Sequence, residues 1–173
     1  MRRFLFICAV LAVLAVPAGA SSASEHVKPG YLVVRNAVSD GGVGGRPVAT
    51  LVMSQRGFVL GNASLEAQVD VYHLGAASQL TTQVNGDVSS GPAHWNGLNG
   101  KRYTGSNFRF RITGRQYRVV VRGSGLYLFA GGRGTVRLRG SSVNPRTDGK
   151  YSVDGGRWRS MPTKLVTREI GRG

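Results

Sequence analysis

The chain has 173 residues, 26 glycines, six prolines, a single cysteine and a formal net charge of +15. The lone cysteine, Cys8, excludes an intramolecular disulfide. A thiolate metal site or a cysteine nucleophile is excluded as well, once the N-terminal segment is removed as argued below. Glycine and proline together stay under the fraction typical of disordered chains, and the glycines punctuate short apolar runs, so a folded protein rich in turns is expected.

The N-terminus opens with Arg2 and Arg3, continues through an apolar run over residues 4–16, and reaches Ala18, Gly19 and Ala20. A positive segment, a short apolar core and a small-x-small site form the pattern of a cleavable secretory signal, expected as a helix over residues 1–20. The run falls short of the ~20 residues that span a bilayer as a helix. Residues 21–173 are expected to form one all-β domain, a near-neutral half over 21–100 and a basic half over 101–173. The first half carries four Lys/Arg against five Asp/Glu, the second seventeen against three. GC-rich codons account for arginine in place of lysine, but not for the loss of acids from one half. Three carboxylates cannot neutralise seventeen cations, so most of these cations must meet water or an external anion.

Residues 31–35 read as a short apolar strand, followed by a glycine-rich loop over 39–47. Residues 48–53 and 57–60 read as two strands joined by Ser54, Gln55 and Arg56. Over residues 65–73, Leu65, Ala67, Val69, Val71 and His73 alternate with Glu66, Gln68, Asp70 and Tyr72, which favours a strand, with a short helix capped by Ser64 as the alternative. Residues 79–84 read as a polar strand near an edge. Residues 85–101 show no periodicity and are expected to form a long loop carrying His94 and Trp95.

The basic half shows the clearest alternation. Residues 107–113 and 116–122 flank Gly114 and Arg115 as a two-residue hairpin turn. Residues 126–130 and 135–139 follow across further glycine turns. Turn-based registers pair Ile112 with Tyr117, Phe110 with Val119, Val121 with Tyr127 and Phe129 with Val136, giving a four-strand meander. One face then holds Phe108, Phe110, Ile112, Tyr117, Val119, Val121, Tyr127, Phe129, Val136 and Leu138. The other holds Arg109, Arg111, Arg118, Arg122, Arg137 and Arg139, with Arg111 opposite Arg118. A one-residue slip would scramble both faces. The tail predicts a hairpin over 150–153 and 157–160 around Asp154, Gly155 and Gly156, with Trp158 packed on Tyr151 and Val153, and a last strand within 164–170. The whole reads as an antiparallel β-sandwich or barrel of about nine to eleven short strands. A faint internal echo relates residues 31–35 to 117–122 and residues 57–61 to 134–140, consistent with duplication of a β unit.

Residues 117–122, Gly123-Ser124-Gly125, residues 134–140 and residues 149–156 with Trp158 and Pro162 resemble a recurring pattern in uncharacterised exported all-β proteins of actinobacteria. The resemblance covers about residues 108–162 and implies export and an all-β fold; no activity or functional residue comes with it.

Nucleophile-elbow, phosphate-loop, zinc-protease and EF-hand motifs are absent from the sequence. Asp70 and Glu66 are the nearest pair of carboxylates but alternate along an ordinary polar strand face. His26, His73 and His94 share no ligand spacing, so neither a metal nor a cofactor is expected. Trp95 could stack on a sugar or base, or plug the end of the core. The expectation is a non-catalytic exported module that uses Arg109, Arg111, Arg118, Arg122, Arg137, Arg139 and Trp95 to hold an anionic partner. Candidate partners are anionic polysaccharide, wall phosphopolymer, anionic lipid headgroups and extracellular nucleic acid. The alternatives are a subunit docking an acidic protein and, behind it, a secreted hydrolase.

Overall fold

A computed structural model describes residues 30–38, 48–141 and 148–171. The expected signal helix, the loop over 39–47 and His26 lie outside the described residues. Twelve strands follow one another: β1 (Gly30–Ala37), β2 (Ala49–Met53), β3 (Gly57–Ala63), β4 (Ala67–His73), β5 (Gln79–Trp95), β6 (Leu98–Arg115), β7 (Tyr117–Gly123), β8 (Leu126–Gly132), β9 (Gly134–Leu138), β10 (Lys150–Val153), β11 (Arg159–Ser160) and β12 (Val166–Ile170). There is no helix among the described residues, so the strand reading of residues 65–73 holds and the helical alternative fails.

The strands form one antiparallel sheet, curled into a half-barrel, in the order β11-β10-β1-β8-β3-β6-β4-β7-β2-β9-β12, with β5 laid along β6. The sheet forks at β6. One edge of this long strand is shared end to end by β3, on residues 108–114, and β4, on residues 100–105. Its other edge is covered throughout by β5. The two branches enclose a single core in which Leu32, Val34, Val59, Phe110 and Leu128 meet Leu51, Val69, Tyr117, Val121 and Leu138. The branch ends approach where Asp154 accepts a hydrogen bond from the Tyr31 amide at 2.8 Å and lies 3.5 Å from the Gly171 amide.

The two branches are built alike. A cyclic shift of six in strand number turns the order β10-β1-β8-β3-β6 into β4-β7-β2-β9-β12, so β1 matches β7, β2 matches β8 and β3 matches β9. The central strand of each trio comes from the other half of the chain: β8 sits between β1 and β3, and β2 between β7 and β9. The faint sequence echoes fall on β1 with β7 and on β3 with β9.

This exchange overturns the expected meander. β7 pairs with β4 and β2, and β8 with β1 and β3, so Tyr117 lies opposite Met53 and His73 rather than Ile112. Arg111 lies opposite Leu60 and Gln83, not Arg118, so no direct like-charge pair forms there. β2 and β3 are likewise sequence neighbours that do not pair. Most of the expected core face is nevertheless buried, because strand parity does not depend on the partner. β8 is the exception: Leu126, Leu128 and Ala130 are buried, while Tyr127 and Phe129 stand 44% and 41% exposed.

The segment expected as a structureless loop is instead the β5–β6 hairpin, whose tip runs through Asn96 and Gly97, both at positive φ. β5 has one strand partner, as an edge strand should. β6 carries a bulge where Asp87 faces Ser106 and Asn85 faces Arg109. Asn107 occupies the left-handed region there (φ 52). The extra residue changes which side chains point inward, from Tyr103 on one side of the bulge to Phe108, Phe110 and Ile112 on the other. The β10–β11 hairpin and β12 occur where expected. Trp158 does not pack into the core; it is exposed, with the Arg35 guanidinium 4.7 Å from its ring centroid.

Candidate polyanion-binding surface

The outward positions of β4, β6 and β7 build a dense charged cluster around Asp70. In register across these strands, Asp70 of β4 lies between Arg102 of β6 and Val120 of β7, and Gln68 lies between Thr104 and Arg122. Arg102 grips Asp70 with two hydrogen bonds, from Nε to Oδ1 at 2.7 Å and from Nη2 to Oδ2 at 3.0 Å. Arg122 donates from Nη1 to Oδ2 at 2.8 Å, and Gln68 Nε2 donates to the same oxygen at 2.8 Å. Asp70 is fully buried beneath these donors. Burial raises its carboxyl, but the hydrogen bonds and charges of Arg102 and Arg122 outweigh it and hold the group below its ordinary value. A carboxylate so occupied is an organiser of arginines, not a proton carrier.

Beside it, Tyr72 lies across Gly100, where an added Cβ would come 2.6 Å from the ring. The missing side chain at Gly100 leaves room across β6 for Trp95, which comes to 6.2 Å from Tyr72 between ring centroids. Trp95 covers Arg118, whose guanidinium carbon is 3.5 Å from the indole centroid. The Arg118 Nε is buried with no hydrogen-bond partner. Desolvation, together with the charges of Arg137 and Arg122, pushes Arg118 below its usual value, with Tyr72 acting the other way. Arg137, two strands away and in line with Thr50 and Val120, is exposed, and its side chain makes no ion pair or hydrogen bond among the described residues.

The six arginines expected on one face therefore divide. Arg118, Arg122, Arg137 and Arg139 stand on the outer side of the β7-β2-β9 branch, with Trp95 and the unforeseen Arg102. Arg109 and Arg111 stand on the outer side of the β1-β8-β3 branch, beside β3, and are exposed. Sequence reasoning missed Arg102, Gln68, Asp70 and Tyr72 as members of the cluster, because nothing local ties β4 to a hairpin so far along the chain. It also placed Tyr127 and Phe129 inside. His73 Nδ1 is 3.1 Å from Ser78 Oγ, and His94 Nδ1 is 2.9 Å from Asn99 Oδ1. No group of three or more His, Cys, Asp or Glu among the described residues is arranged to hold a metal ion.

No protein family, curated protein or solved structure matches this chain.

What the face offers chemically is one carboxylate saturated by Arg102 and Arg122, with two further guanidinium groups, those of Arg118 and Arg137, on the same outer side. Arg102 and Arg122 are committed to Asp70, whereas Arg118 and Arg137 present charge without a counter-ion. An arriving oxyanion would meet planar donors suited to two parallel hydrogen bonds.

Proposed function

We propose that the protein is an exported, non-catalytic module that binds an anionic polymer or an anionic envelope surface through its arginines. The observation that carries the reading is one outer sheet face on which Arg102 and Arg122 hold Asp70 while the side chains of Arg118 and Arg137 have no acidic partner among the described residues, which leaves a local excess of positive charge. Rigidity matters, because an arginine already held by Trp95 loses less freedom on binding than one that waves in solvent. The charge of the whole chain acts in the same direction by drawing polyanions toward it. The export element rests on the signal pattern over residues 1–20.

Retention on heparin and on phosphocellulose tests the reading. Arg118→Gln with Arg137→Gln spares the Asp70 contacts and should elute at clearly lower salt than the wild type on both matrices. Elution of this variant at the wild-type position on both would refute the assignment.

A further inference from the structure

The other branch carries a trough of different make. β3 forms its floor, β8 one wall and β6 the other, and the registers align them in rows. Phe129, Leu60 and Arg111 make one row; Tyr127, Asn62 and Arg109 make the next. All six side chains point outward. Neighbouring strands are about 4.8 Å apart and alternate residues about 6.7 Å, so the walls stand roughly 10 Å apart and each row repeats its neighbour one step along β3. An open hollow of about 410 Å³ lies here, lined by Val33, Leu60, Arg109, Tyr127 and Phe129 among others. A second of about 500 Å³ at the Phe58 end is lined by Arg56, Arg111 and Arg115. Among the described residues, no Asp or Glu lines either hollow. Phe129 sits between two further rings, Phe58 at 5.4 Å and Tyr31 at 6.2 Å between centroids.

We propose that this trough binds single-stranded nucleic acid, with bases against Tyr127 and Phe129 and phosphates against Arg109 and Arg111. The nucleic-acid assignment rests on the polyanion reading and deepens it by naming the polymer, but it uses side chains outside the Arg118 cluster. Segregation of the walls decides the class. Of the two strands that flank β3, β8 presents the rings and β6 the guanidinium groups, one of each per row, with Arg35 of β1 at the hollow's margin beyond the rings. The two walls fit a polymer whose flat ring and anionic group sit on opposite edges of every repeat. An acidic polysaccharide carries its carboxylate on the very ring that would stack, and would need a cation beside each aromatic. Rings exposed on a sheet and arginines along the backbone are the recurring solution for single strands, and they read no sequence.

Anisotropy of a fluorescein-labelled oligothymidylate of roughly 16 nucleotides, titrated with the full chain, tests this against inorganic polyphosphate as competitor. Tyr127→Leu with Phe129→Leu keeps an apolar surface but removes the π faces. It should weaken oligothymidylate binding at least tenfold while leaving polyphosphate affinity within a factor of two. Tyr127→Phe with Phe129→Tyr should bind like the wild type. Arg109→Gln with Arg111→Gln should lower the salt slope by roughly 1.4, about 0.7 for each phosphate that is no longer neutralised. Wild-type affinity of the leucine pair for oligothymidylate would overturn the nucleic-acid assignment and leave the polyanion reading standing. Tighter, ring-dependent binding of polygalacturonate would overturn it in favour of an acidic polysaccharide. Failure to bind oligothymidylate, polyphosphate or heparin at all would overturn both.

Discussion

Replacement of Asp70 by Asn is the sharpest probe of the charged cluster. The substitution keeps size and removes the charge on which Arg102, Arg122 and Gln68 converge. Breaking one partner out of a buried ion pair costs about 3–5 kcal/mol when the remaining charge cannot reach water. Here the side chains of Arg102 and Arg122 are 41% and 24% exposed, so both can partly rehydrate, which places the expected loss near the lower figure, about 3 kcal/mol. At about 2–4 °C per kcal/mol for a chain of this size, the melting temperature should fall by roughly 6–12 °C. The pH dependence follows from the depressed carboxyl. Its stabilising effect is fully present above the unfolded-state value near 3.9 and is lost as pH falls through the lower folded-state value. Urea melts of both proteins at neutral pH and in acid should therefore show a wide gap that narrows on acidification. A gap under ~0.5 kcal/mol at pH 7, the usual range for inert surface changes, would refute the account, as would one that does not change with pH.

Substitutions at two further positions test the fold. The Tyr117 hydroxyl is buried without a hydrogen-bond partner, and its burial pushes the phenol above its ordinary value; Tyr117→Phe should leave stability unchanged or raise it by up to about 1 kcal/mol in urea melts, and a clear loss would mean the hydroxyl has a role. At the β6 bulge, Asn107→Val forces a β-branched residue into the left-handed region and should cost about 1–3 kcal/mol, whereas Asn107→Gly should be nearly neutral. Equal effects of the two would remove the bulge from the explanation of the inward-face switch.

Alternation made much of the interior legible before any partner was known. Arginines separate Phe108, Phe110 and Ile112, and Arg118 and Arg122 flank Val119 to Val121, so the inward phase could be read despite the apolar Val120 on the opposite face, and parity survives a wrong partner. β8 gave no such signal: Leu126 to Ala130 is apolar at every position, so a turn-based register decided the phase and turned Tyr127 and Phe129 inward. The start of β5 was legible, since residues 79–84 alternate as a polar edge strand should, but from Asn85 onward its polar and glycine positions carry no period and read as a loop. Strand order was beyond reach, because consecutive strands are neighbours only as a tendency and here the trios borrow their middles from afar. The arginine parity was legible, but its division between two branches was not. Arg109 and Arg118 lie close together along the chain, yet they belong to separate branches of the fork.

The borrowed central strands bear on how the molecule comes into being. β8 cannot take its place until most of the polypeptide has emerged, and β2 must wait unpaired for β7 and β9. Neither half can be excised as a smaller working unit, since each would lack its middle. Closing such distant segments is slow by comparison with hairpin formation. Any growing chain must therefore keep Ala49 to Met53, an apolar segment with two open edges, away from other chains until its partners arrive.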